Sequence, residues 1–386
     1  MSRTKVILSG VNTDNKGAEL MLYAILQEIE RRFPDAIVYL NENSIRQGLD
    51  YIQSNLELRY KPINRIQHLY DRFHIRSIAW RLHIDQVHLD DVYAVCGTDY
   101  FIDASGFLVS DQWNLNDYFV KKWNLLLKRN KEAGAKIIFL PQAFGPIKKE
   151  NTIKLLSSIN QYADIILPRE KVSWNYINSS GIVDMNKVKL FTDFTSLVDG
   201  KFPAKYHNLK DGICIIPNLR MVDQGTMKMD DYISLIDLII KTAKIKNKPI
   251  YLLNHEGNRD EHLAYQIQLR VGKDIEVVTG LNALEVKGMI SSAYLVISSR
   301  FHGVASSLNT CVPCLATSWS HKYEELFNDY KQHGCVLPLD NINSAIQMVN
   351  NLMDENKNQE IRKSLQEIKP QIQNETRKMW KEIWSL

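Results

Sequence analysis

Short apolar runs alternate with amphipathic stretches along almost the whole chain. The runs at 5–9, 36–40, 91–96, 135–140, 164–167 and 188–191 are too short for helices and are bounded by Gly, Asn, Asp or Pro, so they read as strands. Between them, 18–33 carries Leu20, Met21, Ala24, Ile25 and Ile29 at helical spacing, and 117–134, 151–162 and 171–178 also read as helices. The alternation restarts at 213–216. It continues through strands at 249–253, 275–278, 293–297 and 313–317, with helices at 231–243, 261–269, 284–291, 342–353 and 359–384. This persistent strand–helix alternation predicts parallel sheets wrapped by helices. The expected organisation is an N-terminal α/β domain over 1–200 and a linker at 201–211 rich in Lys, Gly, Pro and Asn. A second α/β domain over 212–358 and a closing helix over 359–386 follow.

The chemistry concentrates in Ser298-Ser299-Arg300-Phe301-His302-Gly303. An apolar strand precedes it and the small, apolar Val304-Ala305-Ser306-Ser307-Leu308 follows, so it is a strand–turn–helix connection. That geometry aims backbone N–H groups and the positive end of a helix dipole at an anion. Arg300 is a bidentate partner for carboxylate or phosphate. His302 can give or take a proton near neutral pH. Alone, either would be a surface arginine or a satisfied histidine; together in this turn they point to a catalytic site. Other loops at expected carboxyl ends of strands are candidates too. They are the Asn/Gly loop with Asn12, Asn15 and Gly17, the turn with Asp99 and Asp103, the rigid Pro141–Pro146 loop, Pro168-Arg169-Glu170, Arg220, and the loop with His255 and Asp260.

At 386 residues the chain is long enough for two domains. With 45% hydrophobic and 24% charged residues it is a folded protein, and a net charge of +4 gives no reason to expect nucleic acid. Five cysteines make no disulfide framework and fit a reducing compartment. Cys311-Val312-Pro313-Cys314 has redox spacing but no second pair, so these read as buried structural thiols. No metal-ligand cluster stands out. The first residues read as a strand, not a signal peptide, and no apolar run reaches the ~18 residues of a membrane span. A cytoplasmic location is expected. Residues 59–83 carry six Arg or Lys against one acid. They form either an amphipathic helix for an anionic membrane or a phosphorylated lipid, or a solvated helix packed on the domain, with the second favoured.

Taken in order, these motifs resemble the polysaccharide pyruvyl transferase family. The set is the loop at 12–19, Gly97-Thr98-Asp99, Pro141-Gln142-x-x-Gly145-Pro146, Arg169-Glu170, and Arg300-Phe301-His302-Gly303 with Val312-Pro313 after it. The most specific part is Arg-x-His-Gly, where Phe301 replaces the usual Leu. A glycine run is usual where Gly97-Thr98-Asp99 stands. The resemblance implies two doubly wound Rossmann-like domains facing each other across a cleft, the GT-B architecture. It implies transfer of the enolpyruvyl unit of phosphoenolpyruvate to a sugar as a cyclic ketal, with loss of phosphate. On this reading Arg300 and His302 are catalytic, while Arg220, Ser299, Gly303 and His255 bind the donor. Asn15, Gly17, Asp99, Asp103, Gln142 and Arg169 hold the saccharide acceptor. No cofactor is expected beyond the donor itself. The acceptor would belong to a surface polysaccharide or its lipid-diphosphate-linked precursor, met at the inner face of a membrane through peripheral contact.

Two other readings stay open. A glycosyltransferase of the same architecture would bind a nucleotide-sugar, with Glu324 or Glu325 on the ribose. A non-catalytic sugar-binding protein would keep the fold, but would have no use for a proton donor in the turn. A phosphatase or sugar epimerase remains as a more distant option, because fold does not fix chemistry.

Overall fold

A computed structural model describes residues 3–41, 56–61, 98–318 and 322–386. The strand expected at 91–96, Gly97, and residues 62–83 of the basic stretch lie outside the described residues. By contact the chain divides into two units. One holds Met1–Asn12, Ile25–Phe191 and Met379–Leu386, and the other holds Thr13–Ala24 and Thr192–Lys378. The residues expected as the linker, 201–211, fall inside the second unit. Thr13–Ala24 joins that unit through its backbone. Lys16 N–H donates to the His255 carbonyl at 3.1 Å, and Gly257 N–H donates to the Asp14 carbonyl at 3.2 Å.

The first unit is built on a six-stranded sheet of β1 (Lys5–Ser9), β2 (Ile37–Asn41), β3 (Glu57–Lys61), β4 (Tyr100–Asp103), β5 (Lys136–Gln142) and β6 (Ile165–Pro168). The order is β3-β2-β1-β4-β5-β6 and every pair is parallel. The chain steps outward from β1 to β3, then returns to the other side of β1 with β4. The switch point therefore lies between β1 and β4. Gly10, directly after β1, has φ +78° there, and a methyl group on it would lie 2.3 Å from Ser105 N. Only glycine suits both the dihedral and the spacing. β4 was not expected from the sequence. The strand expected at 188–191 is instead a single bridge between Ile166 and Val188, with Leu190 exposed. The closing helix, Glu355–Ile383, ends in this unit. Trp384 packs edge-on to Phe33 and Tyr100 and donates its indole N–H to Glu28 at 2.9 Å.

The second unit has a five-stranded sheet of β7 (Ile213–Ile216), β8 (Ile250–Leu253), β9 (Glu276–Val278), β10 (Leu295–Ser298) and β11 (Cys314–Ala316), in the order β11-β10-β7-β8-β9, again parallel. Successive residues of β7 and β10 enter different cores. Ile213, Ile215, Leu295 and Ile297 join one cluster, while Cys214, Ile216 and Val296 join the other. Both faces are thus covered, which is why these strands are apolar at every position. Cys214, Cys311 and Cys314 are core residues. The order reverses between β7 and β10, at the point where open α/β sheets bind ligands.

Candidate active site

The carboxyl ends of β7 and β10 carry Pro217–Arg220 and Ser299–Gly303. Arg300 is the N-cap of the helix Phe301–Asn309, with extended backbone (φ −111°, ψ 131°), so the first-turn N–H groups of that helix open onto the end of the sheet. The turn is held by buried polar groups. Ser298 Oγ accepts from Arg300 N–H at 3.0 Å. The Ser299 carbonyl accepts from Asn218 Nδ2 and the Tyr323 hydroxyl, both at 2.8 Å. A methyl group on Gly303 would lie 2.3 Å from Ser298 Oγ, so glycine is what lets the helix start this close to β10. Ser299, expected to bind the donor, is buried. Its hydroxyl exchanges hydrogen bonds with the Tyr232 hydroxyl at 2.6 Å and with Thr317 Oγ1, so it fastens the turn to its neighbours instead of serving a ligand.

Arg300 is engaged by two carboxylates. Its Nε donates to Asp260 Oδ2 at 2.8 Å, a second nitrogen reaches the same oxygen, and a third donates to Glu256. Burial pushes the guanidinium down to about 10, which leaves it cationic at neutral pH. Burial also pushes the Asp260 carboxyl up to about 7, against the pull of Leu219 N–H, Arg220 and Arg259. Arg220 is exposed beside them and close enough to be felt by both Asp260 and Arg300. Asp260 is buried and Glu256 is about one-third exposed, so Glu256 is the carboxylate that an incoming anion can displace.

His302 stands one residue inside the helix. Its Nε2 lies 3.3 Å from Asp193 Oδ2, but the two are not aligned as a hydrogen bond. Asp193 is itself fixed, since Oδ1 accepts from the Thr195 N–H at 3.0 Å and from the Thr195 hydroxyl. The Thr195 carbonyl takes the ammonium of Lys287 at 3.0 Å. Lys287 is fully buried, and burial pulls it down to about 8 although Asp193 and Asp199 favour its charge. Gly17, expected as an acceptor contact, lies against His302 instead: a methyl group there would be 2.3 Å from Nδ1. Asn15, also expected on the acceptor, caps the same helix start, Lys16–Arg32, by accepting from Gly17 N–H at 2.9 Å. It also donates to Glu256 at 3.1 Å. His255 is buried. Burial, with Arg300, His302 and Lys16 nearby, pushes it well below the usual histidine range, so it is neutral. The second unit therefore brings together Arg300, His302, His255, Arg220, Asn15 and Gly17.

The other expected acceptor residues lie in the first unit, and the structure uses them differently. Asp99 precedes β4 instead of following a strand. It accepts from Lys5 N–H at 2.7 Å, at the amino end of the sheet and away from the ligand edge. Asp103 does end β4, but it is fully buried and accepts from Ser105 Oγ at 2.7 Å and from Gln142 Nε2 at 3.0 Å. Burial pushes its carboxyl up to about 6. Gln142, equally buried, accepts from Leu108 N–H at 3.2 Å. These two hold the loop after β4 in place. Arg169 is buried at the end of β6, its N–H on the Gln142 carbonyl at 2.9 Å.

Asp193, Lys16, Glu256 and Lys287 were missed from sequence. Asp193 had a signal: Asp193-Phe194-Thr195 is a side-chain turn sequence beside a predicted strand end. The pairing of Lys287 with its neighbours has none. Among the described residues no group of His, Cys, Asp and Glu is placed to hold a metal ion, and no helix is long and apolar enough to cross a membrane.

The polysaccharide pyruvyl transferase family matches residues 15–321. The chain belongs to this family, and so is a transferase of pyruvyl groups in polysaccharide synthesis. Comparison with curated proteins finds no match. Among solved structures, HepE from Anabaena, in complex with UDP and glucose, is 11% identical over 100% of both chains with TM-score 0.59. The UDP-GlcNAc 2-epimerase of Methanocaldococcus jannaschii is 12% identical over 92% of this chain and 94% of its own, with TM-score 0.56. The trehalose-6-phosphate synthase OtsA is 8% identical over 100% and 99%, with TM-score 0.59. At these identities the likeness is one of fold: the chain has the GT-B-like α/β fold with two parallel sheets.

Proposed function

We propose that the protein transfers pyruvate from phosphoenolpyruvate to a sugar of a surface polysaccharide or its lipid-linked precursor, as a cyclic ketal, with release of phosphate. The observation that carries this reading is the placing of Arg300, Arg220 and His302 around one helix N-terminus at the switch point of the second sheet. Phosphoenolpyruvate is a compact trianion, and this turn offers it two cations beside the positive end of a helix. Arg300 clamps the donor carboxylate or phosphate, displacing Glu256, while Asp260 keeps the fork in position.

His302 moves the protons. The methylene carbon of the donor takes a proton, and a sugar hydroxyl adds to C2 and loses its own. The C2–O bond to phosphorus then breaks, and its electron pair leaves with inorganic phosphate. A second hydroxyl closes the ring on C2 and loses its proton. Two hydroxyl protons are given up; one ends on the new methyl group and one on phosphate. Arg300 and Arg220 are the fixed charges that offset the build-up on the departing phosphate. Asp193 stands beside the imidazole, its Oδ2 3.3 Å from Nε2. His255, kept neutral by its surroundings, is a second hydrogen-bonding group beside the donor. Electrons balance without a redox cofactor.

The test is phosphate release from phosphoenolpyruvate with extracted lipid-linked oligosaccharides as acceptor. Acceptor-dependent release by the native chain that disappears in His302→Ala supports the reading. The folds of HepE, the epimerase and OtsA keep a nucleotide-sugar enzyme as the runner-up, with Glu324 and Glu325 opening the helix Lys322–Asp329 as its ribose contacts. Thermal stabilisation by UDP and none by phosphoenolpyruvate would move the assignment there.

A further inference from the structure

The loop after β4 and the start of the next helix form an open pocket of about 370 Å³ in the first unit, lined by Phe107, Trp113, Asn114, Leu115, Asn116 and Phe119 together with Ser105 and Leu108. Its size falls among small-ligand pockets, about 300–1,000 Å³. We propose that this pocket binds a neutral sugar ring of the saccharide acceptor, stacked on Trp113. The inference rests on the reading above for its choice of ligand, and names where that ligand is held.

Four observations converge. The first is place: Ser105 lines the pocket and faces Gly10 across the switch point of the first sheet, so the pocket adjoins the ligand edge of that sheet. The second is charge. No lining residue is ionisable, which suits a neutral polyol and not phosphoenolpyruvate or a nucleotide diphosphate. The third is an aromatic surface that is exposed yet fixed. Trp113 is 39% exposed, but its indole N–H donates to the Phe107 carbonyl at 2.8 Å and its ring meets Phe107 edge-on at 5.4 Å. A bulky indole left open to solvent and tied in one orientation is a preformed platform for the C–H face of a pyranose. The fourth is polar capacity. The carboxamide oxygens of Asn114 and Asn116 are taken by Lys149 Nζ and by Phe119 N–H, so their amide hydrogens remain to donate to sugar hydroxyls.

The loop is built to stay in this shape. Leu108 N–H binds Gln142, which binds Asp103. Asp111 N–H donates to the Pro146 carbonyl at 2.9 Å, and Ser110 Oγ accepts from Gln112 N–H at 3.2 Å. Asp103 and Gln142, expected from sequence to touch the acceptor, thereby act on it at one remove, as positioning residues for the Trp113 loop.

The experiment uses the full-length chain. Neutral oligosaccharides released from the source organism's surface polysaccharide are titrated calorimetrically into native, Trp113→Ala and Trp113→Phe proteins. KM values for acceptor and for phosphoenolpyruvate are measured in the phosphate-release assay. Trp113→Ala is expected to weaken oligosaccharide binding and raise acceptor KM about tenfold, with KM for phosphoenolpyruvate unchanged, while Trp113→Phe stays near native. Equal affinity in native and Trp113→Ala proteins, or no binding to the native protein, overturns the proposal. Trp113→Phe guards against reading a folding defect as a lost contact. Oligosaccharide binding that depends on Trp113, in a protein that releases no phosphate from phosphoenolpyruvate, would sink the donor reading and leave this pocket standing. Phosphate release with an acceptor KM indifferent to Trp113 would do the reverse.

Discussion

The two sheets of this protein each reverse their strand order once, and the two switch points are furnished with opposite chemistry. Between β7 and β10 the exposed or half-buried groups are charged: Arg220, Arg300 and Glu256, with His302 behind them. Between β1 and β4 the charge has been buried. Asp103 is sealed under Ser105 and Gln142, and the pocket in the following loop is lined by Trp113 with neutral amides. The same topology offers a ligand edge in both places. What differs is whether the side chains are spent on the turn or left over from it. In the first unit the acid is spent; in the second the serines are spent, Ser298 on the Arg300 backbone and Ser299 on Tyr232 and Thr317, and the cations are left over. On the proposed reading, the charged furnishing suits the anionic donor and the neutral one suits a sugar.

The largest effect that could break this contrast is at His302. His302→Ala should lower phosphate release by about 10²–10⁴-fold, the usual range for a general acid or base, while thermal protection by phosphoenolpyruvate persists. A variant that keeps most of its activity would remove proton transfer from the second switch point. Next in size is Arg300→Lys, which keeps the charge and loses the fork. KM for phosphoenolpyruvate should rise about 10- to 100-fold, in line with ~1.5–3 kcal/mol for hydrogen bonds to a charged group, with acceptor KM steady. An equal rise in both KM values would mean that the charged site does not separate donor from acceptor.

Much of the charged site was legible in the chain. Arg300 and His302 stand two apart in a strand–turn–helix connection, and small residues around them leave few local alternatives. The neutral site was not legible. Asp99, Asp103 and Gln142 were chosen because acids and amides near strand ends look available. Whether a carboxylate faces ligand or core depends on partners such as Ser105 and Lys5 N–H, which the sequence does not bring together. β4 escaped for a related reason. Its run, Tyr100–Asp103, is only four residues long and ends in an acid, so periodicity had little to act on. Asp193 escaped because its partner lies 109 positions away, and Trp113 because one exposed aromatic in a polar loop carries no pattern.

A smaller effect is expected beside His302. Asp193→Asn should lower kcat by about tenfold, leaving both KM values near native, since it removes the carboxylate 3.3 Å from the imidazole without touching either substrate. Asp193→Glu, which keeps a carboxylate there, should recover part of the lost rate. A fall in kcat that Asp193→Glu does not relieve would mark Asp193 as a structural residue only.

A last effect is on stability and leaves catalysis aside, and it sets the two units against each other. Asp103 in the first unit and Lys287 in the second are both buried, and burial favours the neutral form of each, so their pH signatures are opposite in sign. Asp103 is raised from 3.8 to about 6 in the folded chain. Its contribution to stability is therefore present below the unfolded value and is lost as pH rises through about 6. Lys287 is lowered from 10.5 to about 8. Its contribution is present above the unfolded value and is lost as pH falls through about 8. Each displacement corresponds to something on the order of 3 kcal/mol. Denaturant unfolding of the native chain, Asp103→Asn and Lys287→Met across this range should therefore diverge at opposite ends. Asp103→Asn should lose the decline between pH 4 and 6 and keep the alkaline rise. Lys287→Met should lose the rise between pH 8 and 10.5 and keep the acid decline. If either substitution removed both slopes, the two buried charges would belong to one cooperative network, and the division of the protein into a charged site and a neutral one would have to be redrawn.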